Sequence, residues 1–355
     1  MRLHLAAAAL MFAASSAGAA ANWVNPADRY DRAHEAYLDR QCPLPATAIK
    51  HFVYLARDRE RLRGHAFLQN ARFSGAQIMY AWRQLESSRG HYDFSIIEDD
   101  LNYLASRNRR LFIQLQDATF TPEYNAVPDY LLSKEYDGGA VLQREENGDQ
   151  GWTAKRWNPA VQERFAALLV ALGQRFDGRI EGINLQETAI AVTNELDRSF
   201  TPEKYVAALK TNLMALKKAF PRSTTMQYAN FMPGEWLPWE DQGYLRSLYA
   251  FAEQIGVGVG APDLMVRRKA QLNHALAMMH EHEYTVPVGI AIQDGNYIGL
   301  TNSTKVETRR QNLVPLLHGF AQEFLRVDYM FWVDQAPYFE EDLLPCLATA
   351  EASRD

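Results

Sequence analysis

Cysteine is scarce in this sequence: two residues, Cys42 and Cys346, in a chain of 355. Two thiols that far apart, without clustered His or Cys companions, do not make a metal site. Basic blocks are missing too. Thirty-seven Lys and Arg stand against 43 Asp and Glu, a formal charge of −6, which argues against a nucleic-acid partner. No apolar run approaches the ~20 residues a membrane-spanning helix needs. The sequence has no P-loop, no Gly-x-Ser-x-Gly, no His-Glu-x-x-His and no His-x-His after its first strand-like run. His280 and His282 are spaced i,i+2 and do not share a helical face, so they do not suggest a metal site. No cofactor is implied. There is no internal repeat, and no low-complexity segment beyond the first residues.

Those first residues are distinctive. Met1-Arg-Leu-His precedes the apolar run Leu5–Ala14 and a string of small residues, the layout of a secretory signal peptide. Cleavage after Ala19 or Ala21 removes Arg2, so the charge goes from −6 to −7. Residues 1–21 are therefore read as the signal and 22–355 as one exported domain, secreted or periplasmic, with no membrane span. In an oxidising compartment, one cysteine near each mature end is expected to form a disulfide. Two buried free thiols are the alternative.

With 47% hydrophobic residues, the chain suffices for one large core or two modest domains. Eight apolar strand-like runs alternate with helical segments: His51–Leu55, Gly75–Trp82, Leu111–Asp117, Ile180–Leu185, Thr224–Asn230, Ile255–Asp263, Val286–Asp294 and Asp328–Asp334. Helices are expected at 60–70, from 95 to 106, 161–176, 202–220, 243–254, 267–282, 305–324 and 340–350. The helix at 202–220 has Thr201 as N-cap and Pro202 in its first turn. Residues 118–157 read as a long irregular insertion. The alternation predicts a single (β/α)8 TIM barrel. A doubly wound open sheet is disfavoured because no Gly-rich dinucleotide fingerprint follows an early strand.

The chain is organised around Arg179–Thr188, a buried strand that ends in Gln186-Glu187. In a (β/α)8 barrel, strand C-termini form the floor of the active site. Glu86, Asp117, Glu187, Glu235, Asp263, Asp294 and Asp334 all lie at or just beyond such ends. Gathering like charges raises their pKa values, a cost that hydrolysis by one protonated and one ionised carboxyl would explain. The alternative is that most of them cap helices or pair with Arg83 and Arg57. Trp152, Trp157, Trp236, Trp239 and Trp332, with Tyr228, Tyr297 and Tyr338, fall on or near the same predicted rim. Flat aromatic faces pack on the C–H faces of pyranose rings. Trp332, within strand eight, reads as core.

Two stretches carry a resemblance. Gln186-Glu187 ends the fourth strand, and Trp82-Arg-Gln-Leu-Glu86…Gly90-His-Tyr92-Asp93-Phe94 follows the second. Together they resemble the clan of retaining (β/α)8 glycoside hydrolases of the cellulase and β-galactosidase type. That resemblance implies an acid/base at Glu187, although the family has Asn-Glu where this chain has Gln-Glu. It also implies a nucleophile at Asp294, where the family carries Glu at the end of strand seven. Trp82, Arg83, Gln116, Asp117, Gln186, Tyr228, Asn230, Glu235, Trp236 and Asp334 are the expected contacts to a carbohydrate. The competing reading is a carbohydrate-binding barrel that has lost hydrolysis.

Overall fold

The computed structural model describes residues 30–145, 148–236, 240–293, 296–297 and 310–348. The expected signal segment, Asp294 and Trp239 lie outside the described residues.

Eight parallel strands close into a barrel: β1 (Lys50–Tyr54), β2 (Phe73–Ala81), β5 (Arg110–Gln116), β8 (Gly182–Leu185), β9 (Thr224–Tyr228), β10 (Gly258–Ala261), β11 (Val288–Ile292) and β12 (Tyr329–Val333). Two antiparallel ribbons lie outside the barrel, β3 (Glu86–Ser88) with β4 (His91–Tyr92), and β6 (Ala140–Glu145) with β7 (Gly148–Ala154). Pairing of β1 with β12, from Lys50↔Tyr329 to Tyr54↔Val333, completes the ring. All eight expected strands are present in the expected order, and the fold is a single (β/α)8 barrel.

Complementary side-chain sizes fill the interior. Phe112 packs edge-on against Phe331, with centroids 4.9 Å apart, and Phe52 lies 5.8 Å from both rings. Glycines make the room. A Cβ added to Gly182 would lie 2.7 Å from the Phe112 ring, and one on Gly289 would lie 2.7 Å from the Met226 sulfur. In strand six, a Cβ on Gly258 would lie 2.7 Å from the Pro287 carbonyl oxygen and one on Gly260 2.6 Å from that of Gly289, the close backbone approach expected there. Nearer the strand C-termini the filling turns polar. Gln77 donates to Asn184 and to the Tyr228 hydroxyl, each at 2.9 Å, and Gln227 donates to the Gln186 carbonyl at 2.6 Å. These bonds are what allow buried amides beneath the barrel mouth.

β8 lies between two long helices, Pro159–Phe176 and Pro202–Ala219. Each starts with a side-chain cap and a proline in the first turn. The Asn158 carbonyl accepts from Ala160 N at 2.9 Å, and the Thr201 hydroxyl accepts from Lys204 N at 3.2 Å. Such caps contribute about 1 kcal/mol each.

Several crossovers differ from expectation. The helix expected at 60–70 is replaced by two 3-10 turns, Arg59–Leu62 and Ala66–Gln69, because Gly64 at φ +72° turns the chain left-handed between them. The helix expected at 267–282 breaks at His274 into Lys269–Asn273 and Ala275–Glu281. The insertion at 118–157 is not irregular, since it contains the β6–β7 hairpin. That hairpin is tied inward: Gln143 donates to Thr119 O at 2.8 Å and accepts from Ala191 N at 2.9 Å.

Cys42 and Cys346 form a disulfide across 304 residues of sequence. It joins the lead-in before β1 to the last helical turn, and the Leu44 N–H donates to the Cys346 carbonyl beside it. By loop entropy a closure this long contributes up to roughly 5 kcal/mol. Among the described residues, no helix is long and apolar enough to cross a membrane.

Candidate active site

Glu187 stands two residues beyond β8, and its backbone is fixed on both sides. Before it, the Gln186 side-chain carbonyl accepts from Asp117 N at 2.9 Å and Ala118 N at 2.6 Å, stapling the end of β8 to the end of β5. At Glu187 itself, the carbonyl accepts from Arg156 at 3.1 Å. After it, the Tyr205 hydroxyl donates to Thr188 O at 3.0 Å, and Thr188 Oγ1 donates to Phe231 O at 2.7 Å. Arg156 is locked in turn by a bidentate pair with Asp117, at 2.7 and 2.6 Å, and by the Tyr205 hydroxyl at 2.7 Å. The carboxylate meets Asn230, whose Nδ2 donates to Oε2 at 2.6 Å.

Burial pushes the Glu187 pKa up to about 8, and the charge of Asp263 adds to the rise. The Asn230 hydrogen bond and the guanidinium groups of Arg156 and Arg268 act in the other direction without reversing it. Asp263 follows β10, and burial raises its pKa as well. Asn296 Nδ2 donates to Asp263 Oδ1 at 3.0 Å. The same Asn296 accepts from Gln293 N at 2.8 Å and from Leu264 N at 3.2 Å, clasping the ends of β10 and β11 together. A carboxyl that keeps its proton at neutral pH, at the mouth of a barrel, has the character of a general acid.

No protein-family model and no curated protein matches the chain. Solved structures do. Endo-glycoceramidase II from Rhodococcus sp., in complex with a cellobiose-like imidazole, superposes with a TM-score of 0.51 at 11% identity, over 84% of this chain and 78% of that one. The two share the (β/α)8 barrel fold. A GH10 protein from Paenibacillus barcinonensis also matches, at 13% identity over 81% and 83% of the two chains with a TM-score of 0.43. So does a family 39 glycoside hydrolase from Bacteroides cellulosilyticus WH2, at 13% identity over 80% and 56% with a TM-score of 0.47.

Within this barrel, the Trp82–Phe94 signature is a clasp rather than a contact surface. Glu86 is buried; it accepts from Trp82 Nε1 at 2.8 Å, Gly90 N at 2.8 Å and Arg164 at 2.6 Å. Asp93 accepts from Ser95 N at 2.9 Å at the start of the next helix. The Trp82 ring is fully buried against Phe165, and Arg83 holds the 126–129 loop through Val127 O and Asp129. Most rim carboxylates are likewise occupied. Asp117 belongs to Arg156, Glu235 accepts from Tyr244 N at 2.7 Å at the start of a helix, and Asp334 pairs with Arg61 and His65. Tyr228 is buried beneath the mouth and Gln116 lies buried at the end of β5.

The expected residues that the structure does bring together are Glu187, Asn230 and Gln186, with Trp236 nearby. Trp236 stacks on Phe231, the neighbour of Asn230, at 6.1 Å and remains 36% exposed. It lines a groove of about 740 Å³ with Arg144 and Glu145 of the hairpin and Ala191, Val192, Thr193, Glu195 and Leu196 of the loop after Glu187. Sequence reasoning missed Arg156, Tyr205 and Arg268, which no motif marks. It noted Asp263 only as one rim carboxylate among several. Its partner Asn296 sits in the Gly-Asn turn after strand seven, a signal that could have drawn attention to the pair.

Proposed function

We propose that this chain is an exported glycoside hydrolase acting on a poly- or oligosaccharide, with Glu187 as the general acid. The observation that carries the reading is the buried carboxyl of Glu187 just beyond β8, gripped by Asn230 at 2.6 Å, with burial raising its pKa. Such a group protonates the glycosidic oxygen as the C–O bond breaks, which accelerates cleavage about 10²–10⁴-fold. Asp294 is assigned as the second carboxylate because it fills the slot after Ile290-Ala-Ile-Gln where the resembling hydrolases carry Glu. Separation of the two carboxyls by about 5–5.5 Å would give retention of configuration, and about 6.5–9.5 Å inversion. The groove beside Trp236 supplies an aromatic face and polar walls suited to a sugar chain. Export is supported by the signal-like first residues and by the disulfide.

The test is a hydrolysis screen of the mature protein against polysaccharides and oligosaccharides, run beside Glu187→Gln. Cleavage by the wild type, lost at least 100-fold in the variant with binding intact, supports the assignment. Wild-type turnover in the variant removes Glu187 from the role. Binding without cleavage by either protein moves the reading to a carbohydrate-binding barrel.

A further inference from the structure

The groove beside Trp236 is built from segments bonded to the one that carries Glu187. Thr119, beyond β5, docks the β6–β7 hairpin: its N–H donates to the Trp152 carbonyl at 2.7 Å, and its hydroxyl accepts from Trp152 N at 2.9 Å. Gly151 permits that approach. It sits at φ +148°, and a Cβ there would lie 2.1 Å from Thr119 O. Opposite Gly151 in the ladder stands Gln143, at a register shift between Gln143 and Arg144, the kind of irregularity that re-aims a side chain. The buried Gln143 amide spans two loops. Nε2 donates to Thr119 O at 2.8 Å, and Oε1 accepts from Ala191 N at 2.9 Å. The next residue closes the join, since Arg144 N donates to Ala191 O at 3.0 Å. Ala191 is the fourth residue after Glu187. On the opposite wall, Trp236 stacks on Phe231, whose carbonyl accepts from Thr188 Oγ1 at 2.7 Å. Both walls are thus tied to the loop that begins at Glu187.

We infer that Gln143 is a positioning residue for substrate length: it holds the hairpin as one wall of a groove that seats further units of a sugar chain, so the site selects chains of several units over short ones. The inference rests on the carbohydrate reading of the site. Pockets of roughly 300–1,000 Å³ take drug-sized ligands, larger than one pyranose ring, and this groove measures about 740 Å³. Trp236, 36% exposed, offers its face to the C–H side of a ring. Arg144 and Glu145 face it from the hairpin. Gln143 itself is buried and does not touch the chain. Its part is to keep the wall in place. A two-stranded ribbon is marginally stable alone, and an untied wall has to be ordered when the chain binds, which weakens affinity for the units that reach it.

The experiment measures binding in the Glu187→Gln background, so it needs no turnover. Cello-oligosaccharides and N-acetylglucosamine oligosaccharides of two to six units are titrated by calorimetry. Expected is an affinity that rises with length in at least one series, by about 10-fold or more from two units to six. Gln143→Leu removes both ends of the tie, and Trp236→Ala removes the aromatic wall. Each is expected to flatten that rise to below about 3-fold, with the circular dichroism spectrum of the parent. A defect that is merely structural would lower affinity equally at every length. Should Gln143→Leu not fold, Gln143→Asn, one methylene too short to span Thr119 and Ala191, takes its place. Affinity independent of length in the parent, no binding of either series, or an undiminished rise in the folded Gln143 variant overturns the inference. Failure of the Glu187 assignment shows separately, as turnover retained by Glu187→Gln.

Discussion

Asp117 and Glu187 end neighbouring strands of one barrel, β5 and β8, and point to the same mouth. Asp117 is met by both arms of the Arg156 guanidinium, and both side chains are almost fully buried. Glu187 meets a neutral amide and lies near a second carboxylate. The first arrangement cancels charge and fixes the backbone: Arg156 goes on to the Glu187 carbonyl and to Tyr205. The second leaves the charge uncancelled, so the carboxyl keeps its proton instead. The carboxylate beyond β5 is thus paired with a cation, and the one beyond β8 meets only an amide. One scaffold supports both, because the paired carboxylate holds still the loop from which the unpaired one works.

The largest expected effect breaks the structural side. Arg156→Met leaves Asp117 buried without its cation and frees the Glu187 carbonyl and Tyr205. Removing one partner of such a buried pair costs about 3–5 kcal/mol. Urea unfolding should show that loss, and turnover should fall with it. A change below about 1 kcal/mol would mean that the two rims do not differ as described.

A smaller effect, of opposite sign, belongs to the chemical side. Glu187 has a raised pKa, so the folded state binds its proton more tightly than the unfolded chain does. Its burial therefore costs little below the ordinary glutamate range, and stability is lost as pH rises toward about 8. Glu187→Gln removes that cost. The variant should match the wild type near pH 4 and exceed it at pH 9, by about 1–3 kcal/mol. Melting curves at both pH values check this, and equal stability at pH 9 would contradict the described environment.

The smallest effect sharpens the line between the two regions. Asn230 donates to the ionised form of Glu187 and lowers its pKa. Asn230→Ala should therefore raise it, moving the alkaline limb of activity upward, with a stability cost of about 1 kcal/mol. A downward shift would mean that the amide stabilises the protonated form instead.

Much of this was legible along the chain. Alternating apolar runs and amphipathic helices marked the eight strands, and Thr201-Pro202 marked a helix start. The Trp82–Phe94 signature was visible as a pattern, although its work turned out to be internal, with Glu86 bonded to Trp82 and Gly90 four residues either side. The long insertion was read as irregular because the β6–β7 hairpin is secured by Gln143 to Thr119 and Ala191, contacts that local periodicity does not carry. Gly64 and His274 broke two expected helices, one by a left-handed turn and the other at a single residue within an otherwise helical stretch.

By itself the sequence determined the barrel, the two cysteines available for its closure and the set of carboxylates at the strand ends. Those follow from periodicity, composition and order, which are local properties. Only the tertiary structure decided which carboxylates are paired with cations. Arg156 is 39 residues from Asp117, and Arg164 is 78 from Glu86. Each cation neutralises its partner because the fold brings them within hydrogen-bond distance. Ionisation responds to charge and solvent within a few ångströms, whatever the separation along the chain. Glu187 is therefore set apart from Glu86 and Asp117 by what the barrel places next to it.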